Sequence, residues 1–175
     1  MKLFPVRAVK LAAYLAMACW AYAAATPDTI YAPLRLYEGT WRITRKDLGP
    51  GAKPDELKND CALVGKFFAC QQTVNGTPGP LLIFLPIPNQ PGHYHTQNVN
   101  QEARASGIGD LEISGDHWVF SSRWDQGGGK TTYYRTINQF SGKTHIHFEQ
   151  QESSNGKDWT VKNSGDEVRV SGPGR

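Results

Sequence analysis

Cys61-Ala62-Leu63-Val64-Gly65-Lys66-Phe67-Phe68-Ala69-Cys70 reads as a β-hairpin with a crosslink across it. Gly65-Lys66 suits a two-residue reversal with glycine first, where φ must be positive. Pairing Val64 with Phe67 across that turn makes a hydrogen-bonded pair. Leu63 then faces Phe68, and Cys61 faces Cys70, in non-hydrogen-bonded pairs, whose Cα atoms come within about 4.5 Å and so within disulfide reach. Closing so short a loop stabilises the fold by about 2–3 kcal/mol in the entropic account. A redox or metal role for the two cysteines is the alternative, but C-x8-C is not a redox spacing.

The same grammar continues on both sides of the hairpin. Asn75-Gly76, Gln126 to Gly129, Ser141-Gly142 and Asn155-Gly156 mark reversals. Between them lie short β-rich runs: Thr40–Lys46, Cys61–Val64, Phe67–Val74, Leu81–Pro86, His93–Asn98, Asp110–Ser114, His117–Trp124, Thr131–Phe140, Thr144–Gln151, Trp159–Lys162 and Glu167–Ser171. These predict an all-β, antiparallel chain of about ten strands with little helix. A hairpin-linked meander becomes a sandwich or a closed up-and-down barrel, and closure removes the exposed edges. Asp47 to Lys58 reads as the one longer irregular loop. Asn75-Gly76-Thr77 is formally a glycosylation acceptor, but Pro78 follows and the segment reads as a turn.

Residues 1–25 have the order of a secretory signal peptide. Lys2, Arg7 and Lys10 are followed by an apolar run from Leu11 to Ala18, and then by small-residue cleavage sites at Ala21 to Ala25. Residues 26–175 then form a single domain, secreted or periplasmic, where the two remaining cysteines meet oxidising conditions. Cys19 offers lipid attachment as an alternative, on a poor lipobox with Ala16 three positions before it. The full chain has 19 Lys plus Arg against 16 Asp plus Glu, and three of the bases leave with the leader. A balanced mature chain gives nucleic-acid binding little support. No other apolar run is long enough to span a bilayer as a helix.

Leu36-Tyr37-Glu38-Gly39-Thr40-Trp41 resembles the G-x-W opening of lipocalins and related calycins. An Arg on the closing strand commonly packs on that Trp in the family, and Arg169 is the positional match. The resemblance implies a calycin-like barrel with Trp41 inward at its closed end, covered by Arg169. Val168 and Val170 flank Arg169 and compete with it for the inward face. The family's T-D-Y segment and the C-terminal helix of true lipocalins are missing. The nearest likeness is to small, helix-poor calycin-like barrels of bacteria, many of them without assigned function. Nitrobindins, which hold haem in such a barrel, are similar in architecture.

Alternation along the strands then bears on the interior. Ile146 and Phe148 share one face, which puts His145, His147 and Glu149 on the other. Trp118, Phe120 and Trp124 share a face as well. Two strands lack an apolar side: His93–Asn98 offers Tyr94, Thr96 and Asn98 or else His95 and Gln97, and Thr131–Phe140 offers Tyr134, Thr136 and Asn138 or else Tyr133, Arg135 and Ile137. Polar groups therefore face inward on either choice. Leaving them unpaired in a dry core costs about 1–3 kcal/mol each, which a wet or ligand-filled cavity avoids. The expected function is binding of a small, partly apolar ligand. Trp41, Tyr94, Trp118, Phe120, Tyr134 and Trp159 would form the walls, with Arg135, Thr96 or His95 as polar anchors.

Two other readings use the same barrel. His93-Tyr94-His95 puts two imidazoles on one strand face, a spacing that suits a transition metal or haem, in a binding protein or an enzyme. Alternatively, the barrel is filled and the chain is an envelope interaction protein. Catalytic signatures are sparse: no G-x-S-x-G occurs, and Gly129-Lys130-Thr131 and Gly142-Lys143-Thr144 lack the upstream glycine of a phosphate loop. The leader reading predicts a mature protein that starts near Thr26, which N-terminal sequencing of the exported protein checks; an intact Met1 on the exported protein would refute it.

Overall fold

The computed structural model describes residues 26–172; residues 1–25, on which the signal-peptide reading and Cys19 fall, and residues 173–175 lie outside the described residues. A short helical segment comes first, with one turn of α-helix, α1 (Pro27–Ile30), and a 3-10 turn at Pro33–Leu36. Ten strands follow: β1 (Gly39–Arg45), β2 (Asp55–Val64), β3 (Phe67–Val74), β4 (Thr77–Pro86), β5 (His93–Val99), β6 (Gly109–Ser114), β7 (His117–Asp125), β8 (Thr131–Ser141), β9 (His145–Ser153) and β10 (Thr160–Ser171). Each pairs antiparallel with the next, and β1 also pairs with β10, so the sheet closes into an up-and-down barrel. Closure leaves no strand edge to template aggregation.

The hairpin that opened the sequence reading has its expected register. Val64 opposes Phe67 and Cys61 opposes Cys70, and the two cysteines form a disulfide with Cα atoms 4.0 Å apart. Two boundaries differ from expectation. The irregular loop after β1 is shorter, because Asp55 to Lys58 already belong to β2. Charged residues hid this strand's alternation: Glu56, Lys58 and Asp60 face water while Leu57, Asn59 and Cys61 are buried. The last two expected strands are one, β10, carried through a bulge between Val161 and Asn163 that changes which side chains face inward.

Trp41 is fully buried, with the Arg169 guanidinium 4.2 Å from its ring centre. Alternation resolves in favour of the arginine, since Val168 and Val170 are 47 % and 48 % exposed and face out. Trp41 Nε1 donates to the Tyr37 carbonyl at 3.0 Å. Gly39 is required beside it: φ is +113°, and a Cβ there would sit 2.5 Å from the Ser171 carbonyl and 2.9 Å from Arg169 Nη1. The G-x-W spacing thus has a local steric cause in this chain.

The helical segment plugs one end of the barrel. Leu34 and Tyr31 are buried. The Tyr31 hydroxyl donates to the Lys66 carbonyl at 2.9 Å in the β2–β3 turn, and the Tyr94 hydroxyl donates back to the Ile30 carbonyl at 2.6 Å. Above the plug lies an aromatic core in which Trp118 and Phe140 have ring centres 4.6 Å apart and Phe140 meets Trp41 edge-on. Truncating Trp41 to Ala removes the centre of this layer and should cost about 3–5 kcal/mol in urea unfolding; a neutral result would mean that the plugged end does not depend on this ring.

Candidate functional site

The half of the barrel away from the plug is not filled. It encloses a cavity of about 700 Å³ that opens between the β1–β2, β5–β6 and β7–β8 connections. Volumes of this order are typical of small-molecule sites. Apolar wall comes from Ile43, Leu57, Leu82, Phe120 and Phe148; polar wall comes from Thr96, Asn98, Thr136, Asn138, Asn163 and Glu167. This half of the barrel is therefore not solid.

The strand register decides which face of each ambiguous strand looks inward. Phe84 opposes Thr96, Leu111 opposes Phe120 and Phe120 opposes Thr136. This phase sends Tyr94, Thr96 and Asn98 inward on β5, and Tyr134, Thr136 and Asn138 inward on β8. His95 and Arg135 fall on the outer face. His95 Nδ1 lies 2.8 Å from Asp110 Oδ1 in an exposed pair. Arg135 borders the mouth, but its Nε donates to Gln151 Oε1 at 2.7 Å and its guanidinium lies 4.1 Å from the centre of the Trp159 ring. Both are committed to partners on the outer wall, so neither is available as an internal anchor.

The other expected wall residues separate into groups. Thr96, Phe120 and Tyr134 line the cavity. Trp41, Tyr94 and Trp118 belong to the packed layer next to the plug. Trp159 stacks on Arg135 outside. All five histidines lie out of phase with the cavity wall, and none lines it. The His93/His95 reading of an internal haem or metal site thus has no ligand to supply it from this wall. His145 and His147 share Asp166 on the exterior at 3.3 and 3.0 Å; the hydrogen bond from His147 pulls the Asp166 carboxyl below its usual range. Among the described residues no cluster of three metal-ligating side chains occurs.

The cavity wall holds the groups that sequence reasoning missed. Glu167 sits on β10 opposite Ile43 of β1 and Ile146 of β9 and is 6 % exposed. Among the described residues its Oε2 has no hydrogen-bond partner, and neither do Asn138 Oδ1 and Asn163 Oδ1, which line the same cavity. Buried polar atoms in folded proteins are nearly always paired. Asn59 shows the ordinary outcome one wall away: its amide donates to the Tyr37 carbonyl at 3.0 Å and its Oδ1 accepts from Gln72 at 2.9 Å. Glu167 could have been found from sequence, because alternation that turns Arg169 inward also turns Glu167 inward. Asn163 could not, because the bulge sets its phase.

Gly165 shapes this floor. A Cβ at that position would collide with the Thr44 carbonyl and lie 2.8 Å from the Phe148 ring, so the absence of a side chain lets Phe148 lie flat against β10. Phe148 and Tyr37 then flank the polar groups. Burial raises the Tyr37 hydroxyl's pKa and the Glu167 charge raises it further, which places the two groups within electrostatic reach.

Neither a family model, a curated protein nor a solved structure matches this chain. Among the described residues no helix is long and apolar enough to cross a membrane.

Burial pushes the Glu167 carboxyl from 4.5 up to about 7. The side chains facing it are Ile43, Ile146 and Tyr37, with Arg169 and Arg45 at the neighbouring inward levels of β10 and β1. The unfolded chain releases this proton near pH 4.5, while the folded protein keeps it to about pH 7. Folding stability therefore falls as pH rises through that window and levels off above it, by about 3 kcal/mol for this group alone. Urea unfolding from pH 4 to 8 should show the loss in the wild type and a flatter curve in Glu167→Gln; parallel curves would place the carboxyl in water.

Proposed function

We propose that this is an exported, calycin-like barrel that binds a small, partly apolar molecule in its open half. The single observation that carries the reading is a cavity of about 700 Å³ lined by unpaired buried oxygens, those of Glu167 and Asn138 toward its inner end and that of Asn163 nearer the mouth. An empty apolar hole in a barrel can be a packing defect. A hole lined by three unpaired polar groups calls for polar atoms from water or a guest, since each such group costs about 1–3 kcal/mol without them. The apolar wall supplies area for the remainder of the guest and the floor supplies orientation.

The G-x-W opening, the Trp41–Arg169 stack and the ten-strand closure support the calycin likeness. Export is supported by the order of charge and hydropathy in residues 1–25 and by the Cys61–Cys70 disulfide, which persists in oxidising compartments. The ligand enters from the end away from the plug, because the plug is held by buried tyrosine hydrogen bonds.

Native mass spectrometry of protein purified from its own host should show the mature chain with a retained small molecule. N-phenyl-1-naphthylamine, an apolar fluorophore, should bind the emptied protein. Thr136→Trp fills the cavity from β8 and should weaken that binding at least tenfold while leaving a cooperative unfolding transition. Equal binding to both proteins would place the probe on the surface, and no binding to either would refute the cavity as a site.

A further inference from the structure

We infer that the inner end of the cavity is a cation site, built to take the protonated amine head of an amphiphilic ligand; the inference rests on the cavity being a binding site. Glu167 is an inward carboxyl with no counter-ion. No salt bridge among the described residues includes it. The two nearest inward cations are already engaged. Arg169 covers Trp41 and donates to the Leu36, Glu38 and Lys143 carbonyls. Arg45 is held by Asp47 at 2.6 Å.

The neighbouring groups present the same polarity. Asn138 contributes an unpaired oxygen from β8, two strands away across β9. Nearer the mouth, the Asn163 amide nitrogen donates to Gln150 Oε1 at 3.2 Å and leaves Oδ1 unpaired. An ammonium group carries three donors and no acceptor, so it suits a floor that offers a carboxylate and an amide oxygen. A carboxylate head carries none and meets the Glu167 charge. An alcohol brings a single donor and no charge. Phe120, Phe148 and Tyr37 line the same space, and aromatic faces attract cations. The apolar wall toward the mouth then covers the alkyl or aryl remainder of the molecule.

Octylammonium chloride, 1-octanol and sodium octanoate, titrated calorimetrically into the full mature protein at pH 8, separate head-group chemistry from chain burial. Octylammonium should bind at least tenfold more tightly than 1-octanol, with octanoate weakest. Glu167→Gln, which keeps the shape and removes a buried charge, should reduce the octylammonium-to-octanol affinity ratio at least tenfold. Wild type that prefers octanol or octanoate, or a variant that keeps the wild-type ratio, overturns the cation site and leaves the cavity reading standing. If none of the three binds, the cavity reading itself fails and the cation site falls with it.

Discussion

Closing a ten-strand barrel requires its first and last strands to meet, and here one side chain clamps the backbone ladder of that seam at its plugged end. Arg169 on β10 lies over the Trp41 ring of β1 and donates to carbonyls at Leu36, Glu38 and Lys143. Those acceptors belong to the segment entering β1 and to the β8–β9 turn. A single guanidinium therefore joins the seam, the plug and a neighbouring hairpin. Its planar fork suits this role, since several donors leave in fixed directions and the flat face remains free to stack. Lysine at the same position would supply one point charge and no plane.

Much of the site's position follows from that seam. With Trp41 and Arg169 filling the interior beside the plug, the large aromatics from β5, β7 and β8 stack into the same half. The opposite half then receives residues too small or too polar to fill it, such as Thr96, Thr136 and Asn138. Gly165 extends this effect. Because Phe148 can lie flat against β10 there, a ring that could have crossed the barrel becomes wall. The cavity is thus a consequence of where bulk is placed along the barrel axis, and the same strands serve as core at one end and cavity wall at the other.

The hairpin at Cys61–Cys70, the strand number and the outward facing of His145 and His147 were legible because each depends on local alternation and turn chemistry. The outward facing of Arg135 and His95 was not. Each sits on a strand with polar residues on both faces, where period-two reading gives two equal answers and only pairing with β4 and β7 decides. Trp159 read as wall because it is large and apolar; its actual partner, Arg135, lies two strands away across β9 on the outside. The plug was missed for another reason. One turn of α-helix and a 3-10 turn are too short to show helical periodicity, and their stability comes from Tyr31 and Leu34 docking into the barrel.

Glu167 is the position where local fitness and global role conflict most clearly. Its cross-strand neighbours on both sides are isoleucines, Ile43 and Ile146, so an aliphatic residue there would continue the wall without desolvating a carboxyl. Burial alone lifts its pKa to about 7, a shift that corresponds to about 3 kcal/mol of disfavour for the charged form. Its counterpart Asn59, equally enclosed, has both ends of its amide satisfied and so fits as architecture. Glu167 has no such account within the chain. Strongly perturbed, unpaired groups in a concave site are where binding and catalysis concentrate, because a guest that completes their hydrogen bonds recovers energy the folded protein leaves unrealised. In this barrel the floor carries a carboxyl that no described cation pairs with, and the cation site proposed above rests on that imbalance.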